Sequence, residues 1–437
     1  MIRVKMKDEI KLSKHRFLVL ILYCLTNLHI NSQWTQFQVI ADIFRPYFGV
    51  TNTDIDWTVT IWCPIYLVMC FVSAYCLDKF GLRSCLLMAS GFNLFGSAIK
   101  YYSIIYPDFL VACLGQSLVA TGQVFNFFLP SSIALTWFPA EVASTITAIA
   151  LFPMFFGNGL GYYLPSLAVP DGSSPSVQKM DLERFFLYYT LSASLLYFLN
   201  LFLLKNRPKY PSSLASAKAL AENTEFIESW KVILTNRLSN FILITFTFLQ
   251  TLANVVLGLL SPMISKYFPN QNILIGIIGA IASLSSVFGS LILAWVTDKT
   301  RKYKLVTLIS SILMVPLFGL LIYSLEMGSK LFVTIVIALL CFLVAGTYPI
   351  GMDFIVQANY PMSESVCVTL MMFSNQLISW PATVLVSYLL QYYNLYYAFS
   401  PFLLMLLIAL ITVLFTKDQL NRDKANSDTE NLIKVTD

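Results

Sequence analysis

Residues 73–83 read SAYCLDKFGLR and residues 293–304 read LAWVTDKTRKYK, and each closes an apolar run long enough to cross a membrane. Asp78-Lys79 and Asp298-Lys299 stand 220 positions apart. Two further pairs keep nearly the same offset. TWFPAEVAS (136–144) is echoed by ANYPMSESV (358–366), with Pro139 and Pro361 222 apart. FFGNGLG (155–161) is echoed by MFSNQLI (372–378), with Asn158 and Asn375 217 apart. One match would be chance. Three in register, at equivalent places along the chain, indicate an internal duplication.

Composition states what is duplicated. Of the 437 residues, 57% are hydrophobic and only 12% charged, and the mean hydropathy is +0.71. Soluble domains carry about 25% charged residues, so this chain lacks the polar groups to cover a water-facing surface. A membrane-crossing helix needs about 20 mostly apolar residues. Twelve such runs are found, near 17–44, 55–77, 84–105, 109–136, 142–167, 183–204, 238–265, 272–297, 305–325, 331–357, 363–390 and 395–416. Barrel strands, at about 9–11 residues with alternating polarity, are too short to account for them. The first run is longer than the core of a cleaved leader and is read as span 1.

Charge then orients the spans. With the N-terminus placed in the cytoplasm, 22 of the 28 Lys and Arg fall on the cytoplasmic side. The other six are Arg45, Lys100, Lys179, Arg184, Lys266 and Lys330. Positive residues accumulate on the untranslocated side, so both termini are expected in the cytoplasm, which requires an even number of spans. The expected organisation is a basic N-terminus (1–16), a six-helix bundle (17–204), a cytoplasmic linker (205–237) with an amphipathic stretch near 214–234, a second bundle (238–416) and a cytoplasmic tail (417–437). The net charge of +5 is modest and gives no reason to expect nucleic acid. Eight cysteines in or beside apolar runs, without a CxxC pair and with only two histidines, give no metal framework. No nucleophile–base arrangement is recognisable, so neither enzymatic activity nor a cofactor is expected.

An all-α protein of two six-helix halves, related by an axis along the membrane normal and joined by a cytoplasmic linker, has the layout of the major facilitator superfamily. LDKFGLR resembles the loop signature of that superfamily, with Asp78, Lys79, Gly81 and Arg83 at matching types. Gly81 permits a tight turn between spans 2 and 3. Asp78 and its repeat mate Asp298 sit near helix ends, where a carboxylate can pair with a cation or cap a neighbouring helix. These five residues are the candidate cytoplasmic gate, the alternative being a static turn with outward-reaching charges.

Solute sites in such carriers lie near the midplane, where polar residues are costly and therefore informative. Span 1 holds NLHINSQWTQFQ (27–38). On a continuous helix Trp34 and Phe37 share a face, as do Gln33 and Phe37. Trp34 is the leading candidate, because an indole face holds a cation; the competing reading is an interfacial anchor. Gln123, Asn126, Asn158, Gln250, Asn254, Asn375 and Gln376 extend a path of uncharged amides, each of which is also a candidate for interhelical hydrogen bonding. Asp42, Lys100 and Asp353 lie toward span ends. The sole mid-span titratable group noted is His29, itself a candidate packing residue, so facilitated diffusion is favoured over proton coupling.

Within the superfamily the chain resembles the feline leukaemia virus subgroup C receptor family of solute carriers. The resemblance is carried by SQWTQFQVIADIF (32–44), YFGVTNTDIDW (47–57), LDKFGLR (77–83), GFNLFGSAIKYYS (91–103) and WFPAEVASTITAIALFPMFFGNGLGYYLPSLAVP (137–170). YPIGMDFIVQANYPMSES (348–365) and SNQ (374–376) continue it in the second half. It implies transport of choline and ethanolamine, with haem also claimed as cargo of relatives. It implies that Trp34 faces the quaternary ammonium and that Gln376 is the span-11 glutamine of the site. Two positions depart from the family pattern: Asn158-Gly159 replaces an Asn-Gln pair, and Asn254 stands where an aromatic is expected. A monomeric carrier in the plasma membrane follows, with an organelle membrane as the alternative location. Haem or a neutral vitamin-like solute is the alternative cargo, and a non-transporting receptor on a carrier fold the alternative role.

Overall fold

The computed structural model describes residues 14–138, 143–170, 172–205, 226–360, 362, 364–418 and 421. Residues 1–13, Pro139, Pro361, most of the linker, the end of the tail and the side chain of Asp78 lie outside them. The chain divides into two compact units, residues 1–223 with 270–280, and residues 224–269 with 281–437. Among the described residues every regular element is a helix, and nine helices are long and apolar enough to cross a membrane.

Spans 2 to 6 are Asn52–Leu77, Lys79–Ile105, Phe109–Phe127 continued by Leu129–Trp137, Ala143–Ala168 and Pro175–Leu203. Spans 7 to 12 are Arg237–Gly258 continued by Leu260–Ser265, Asn272–Thr300, Tyr303–Met327, Lys330–Asn359, Glu364–Tyr392 and Leu395–Phe415. Large apolar side chains line their outer faces: Val68, Leu110, Phe202 and Leu331 are 69%, 78%, 76% and 72% exposed. Such a surface is intelligible against lipid and not against water.

Span 1 differs from the single helix expected over 17–44. It is three helices, His15–Asn31, Gln36–Val39 and Ala41–Phe48. The break at Ser32–Thr35 has a local cause. Asn31 Nδ2 donates to the Asn27 carbonyl at 2.7 Å and Ser32 Oγ to that of His29 at 2.8 Å, and short polar side chains bonded to the backbone compete with the helix ladder. The backbone tightens accordingly: Gln33 N–H reaches Ile30 O at 3.1 Å and Trp34 N–H reaches Asn31 O at 3.2 Å, both three residues back.

Glycines set the packing around this break. A Cβ on Gly157 of span 5 would meet Leu28 O at 2.7 Å, and one on Gly161 would meet Ser32 O at 2.8 Å. The FFGNGLG stretch therefore lies directly on the span-1 backbone, the close approach that small residues allow between membrane helices. Gly157→Ala is expected to destabilise the protein by about 1–3 kcal/mol through overpacking. A lowered thermal-unfolding midpoint in detergent would register this, and an unchanged midpoint would refute it. Spans 3 and 4 approach as closely, with a Gly96 Cβ 2.6 Å from Gly115 O and a Gly122 Cβ 2.7 Å from Ala89 O.

Gly81 has φ 77°, a left-handed value that only glycine takes without strain, and it makes the turn between spans 2 and 3. Arg83 Nη2 donates to Leu201 O at 3.1 Å, closing the C-terminal end of span 6. Lys79 is exposed and donates to Tyr75 Oη at 2.7 Å; Asp298 is exposed. In the second unit the described part of the linker forms the helix Phe226–Thr235. Trp230 docks it onto span 11, its indole donating to Val366 O at 3.2 Å and its ring lying 5.4 Å from that of Phe373.

Candidate functional site

In the first unit the candidate residues gather around the span-1 break. Trp34 sits there half-buried, its indole Nε1 donating to Val59 O at 3.4 Å. Non-helical backbone at membrane depth must find partners for its polar groups. Gln116 of span 4 supplies them, Nε2 donating to Gln33 O at 3.0 Å and Trp34 O at 3.2 Å. Gln116 Oε1 and Gln36 Oε1 each accept from Lys100 Nζ at 3.1 Å. Lys100 is fully buried and pairs with no carboxylate among the described residues. Two residues on, Gln38 Nε2 donates to Asp56 Oδ1 at 2.7 Å.

Because the helix is interrupted, a wheel drawn through 33–37 does not describe the side chains. Gln33 turns to span 3: its Nε2 donates to Asn93 Oδ1 at 2.7 Å and its Oε1 accepts from Ser97 Oγ at 3.2 Å. Phe37 is buried, its ring 4.9 Å from that of Phe44 and 5.5 Å from that of Phe186. His29 is held by Asn93 at 3.3 Å through Nδ1 and by Ser192 Oγ at 2.8 Å through Nε2, so its ring is fully engaged.

One turn toward the N-terminus lies an amide cluster. Asn31 Nδ2 donates to Asn27 Oδ1 at 2.7 Å, Gln123 Nε2 donates to Asn31 Oδ1 at 3.1 Å, and Asn126 Nδ2 donates to Asn27 Oδ1 at 2.9 Å. Asn158 on span 5 is 8% exposed, and its Oδ1 is buried without a hydrogen-bond partner. Such an atom is costly, and a solute donor would relieve it.

The second unit has a smaller cluster. Asn254 of span 7 donates through Nδ2 to Asn375 Oδ1 at 2.9 Å and Ser379 Oγ at 3.2 Å, both on span 11. Ser379 Oγ donates to Thr251 Oγ1 at 3.1 Å. Gln250 is buried with Nε2 unpartnered. Gln376 is half-buried. Toward the span ends the charges find local partners: Arg45 donates to Asp42, and Tyr303 donates to Asp353.

The structure thus brings Gln123 and Asn126 together with Asn27 and Asn31, and Asn254 with Asn375. It separates Gln33 and Phe37 from Trp34, in that their side chains pack against spans 3 and 6. Lys100, Gln116 and Asn93 were missed as functional candidates. The available signal was the polarity of GFNLFGSAIK (91–100), a lysine inside an otherwise apolar run.

A family model of the major facilitator superfamily matches residues 22–380. The choline/ethanolamine transporter FLVCR2 of Rattus norvegicus is 30% identical over 433 residues, covering 97% of this chain and 78% of the relative. The choline/ethanolamine transporter flvcr2a of Danio rerio is 28% identical over 433 residues, covering 98% and 92%. FLVCR1 of Felis catus, named likewise, is 32% identical over 358 residues, covering 81% and 64%. Among solved structures, a D-xylose–proton symporter matches with TM-score 0.68 at 15% identity, over 93% of this chain and 99% of that one. At that identity the likeness concerns the fold alone. The family model spans most of the chain and the rat relative is matched over more than three quarters of its length, so this multi-pass membrane protein belongs to the major facilitator superfamily and, within it, to the FLVCR family of transporters.

Proposed function

We propose that the chain is a facilitative, alternating-access carrier of a small organic cation of the choline/ethanolamine type. The observation that carries this reading is Trp34, a half-buried indole on unwound backbone, in a chain whose relatives are named choline/ethanolamine transporters. A desolvated indole face attracts an ammonium by about 2 kcal/mol. Trp34 is assigned to the cation. Asn158 of the first unit and Gln250 of the second, each with a buried polar atom that lacks a protein partner, and the half-buried Gln376 are assigned to hydrogen bonding with the solute. Gln123 and Asn126 in the first unit, and Asn254 and Asn375 in the second, are assigned to solute recognition through their hydrogen-bonded clusters, while Gln33 and Phe37 are assigned to anchoring the span-1 segment against spans 3 and 6. Asp78, Lys79, Gly81, Arg83 and Asp298 are assigned to the cytoplasmic gate, and residues 205–237 to the connection between two six-span bundles. The carrier acts as a monomer at the plasma membrane, without a cofactor, without catalysis and without nucleic acid.

Asn254 favours a solute that forms hydrogen bonds. Ethanolamine carries three N–H donors on its ammonium and choline carries none, so ethanolamine is the preferred member of the pair. Net movement follows the solute gradient and the membrane potential, which contributes about 2.3 kcal/mol per charge at 100 mV.

The test is uptake of labelled choline, ethanolamine and haem into liposomes holding the purified protein. Choline and ethanolamine uptake is expected to rise with an interior-negative potential and to be unaffected by a proton gradient at clamped potential. Stimulation by the proton gradient would overturn the uniport reading. Uptake of haem alone, or of no tested solute, would overturn the cation reading.

A further inference from the structure

The proposed function leaves unexplained a fully buried lysine with no carboxylate partner among the described residues. Burying an unpaired ammonium is expensive, and in a span facing helices a methionine would pack as well. The neighbours of Lys100 indicate what the charge does. Nζ donates to two glutamine oxygens, Gln36 Oε1 and Gln116 Oε1, each at 3.1 Å, and lies 5.8 Å and 5.9 Å from the centres of the Phe37 and Phe186 rings. Gly115 makes this route possible, since a Cβ there would stand 2.7 Å from Lys100 Cγ.

Chemistry fixes the orientation of Gln116. An ammonium only donates and a backbone carbonyl only accepts. Gln116 must therefore turn Oε1 to Lys100 and Nε2 to Gln33 O and Trp34 O. Without Lys100 the amide keeps its two acceptors but its oxygen loses the donor that anchors it. Without the amide the two carbonyls that flank the Trp34 peptide lose their donor at membrane depth. Gln36, on the short helix that follows the break, is pulled to the same ammonium. One cation thus ties together span 3, span 4 and both sides of the unwound segment.

We infer that Lys100 and Gln116 are positioning residues for Trp34: the lysine orients the glutamine amide, and the amide holds the Gln33 and Trp34 carbonyls so that the indole keeps one presentation. The consequence for transport rests on Trp34 being the solute contact; the consequence for the position of Trp34 does not.

Gln116→Glu separates this role from simple burial of Lys100. A carboxylate gives Lys100 an acceptor and a counter-charge, yet donates nothing to the two carbonyls. The full-length protein, labelled with 5-fluorotryptophan, has seven tryptophans, and the Trp34 fluorine resonance is identified by its loss in Trp34→Phe. In Gln116→Glu the Trp34 resonance is expected to shift or broaden while the other six stay in place. The KM for choline should rise on the order of tenfold, about 1.4 kcal/mol, with Vmax little changed. If the Trp34 resonance stays where it is in Gln116→Glu, the glutamine serves only the burial of Lys100 and the proposal fails. Should Gln116→Glu not fold, Lys100→Met keeps the side-chain length and removes the orienting donor; the same displacement of Trp34 is required there, and its absence is equally fatal. A displaced Trp34 resonance with unchanged choline KM, in a protein whose Trp34→Phe variant also transports normally, upholds the positioning role and instead overturns the assignment of Trp34 to the solute.

Discussion

Trp34→Ala is expected to raise the KM for choline and ethanolamine uptake by about 30-fold or more, the equivalent of about 2 kcal/mol for a desolvated cation–indole contact. The replaced residue also loses its hydrogen bond to Val59 O, so alanine alone does not separate recognition from local packing. Two other replacements do. Trp34→Phe keeps a ring face without the indole N–H and should retain part of the affinity. Trp34→Leu keeps apolar area without a quadrupole and should behave like alanine. The expected order in affinity is Trp, then Phe, then Leu and Ala together, read from concentration-dependent uptake into proteoliposomes. Leucine transporting as well as tryptophan would mean that Trp34 fills space at an interface, and the cation would have to be held elsewhere.

The place of Trp34 illustrates what a sequence can and cannot convey. The polarity of NLHINSQWTQFQ (27–38) is legible as costly at mid-span, and with the duplicated loops it points to the fold and to the segment that carries the proposed solute contact. The break itself was not legible. It depends on whether Ser32 and Asn31 bond back to their own helix and on a donor from span 4, Gln116, more than 80 residues away in sequence. A wheel through Gln33, Trp34 and Phe37 assumes an unbroken ladder, so it put on one face side chains that the structure sends to spans 3 and 6. Hydropathy places Lys100 near the outer end of its span and does not show its burial, because it records position along a helix and not which face a residue occupies. The glycines of FFGNGLG were visible as a motif, while their contact with Leu28 and Ser32 carbonyls is a tertiary fact. The Gly81 turn, by contrast, was legible because its cause is local.

The second large effect concerns selectivity. Asn254→Tyr is expected to shift the ratio of choline to ethanolamine affinity toward choline by about tenfold or more, the scale of one hydrogen bond to a charged group that ethanolamine loses and choline never makes. Asn254 links spans 7 and 11 through Asn375 and Ser379, so its loss costs two hydrogen bonds of about 0.5–1.5 kcal/mol each. That cost falls on the protein whichever solute is bound, and it lowers stability without changing the ratio. The ratio responds to the lost asparagine and to what the new ring offers. A trimethylammonium has no N–H to donate and gains from an aromatic face, whereas a primary ammonium loses the polar surroundings that suited its donors. Affinities for both solutes should therefore be measured in the same preparation, with Asn254→Ala alongside. Alanine removes the asparagine without adding a ring, so its ratio should move part of the way toward choline. If tyrosine and alanine weaken both solutes alike, Asn254 belongs to the packing of spans 7 and 11 and has no part in choosing the cargo. If alanine moves the ratio toward choline and tyrosine moves it further, the asparagine at this position is what turns the carrier toward the smaller, hydrogen-bonding cation.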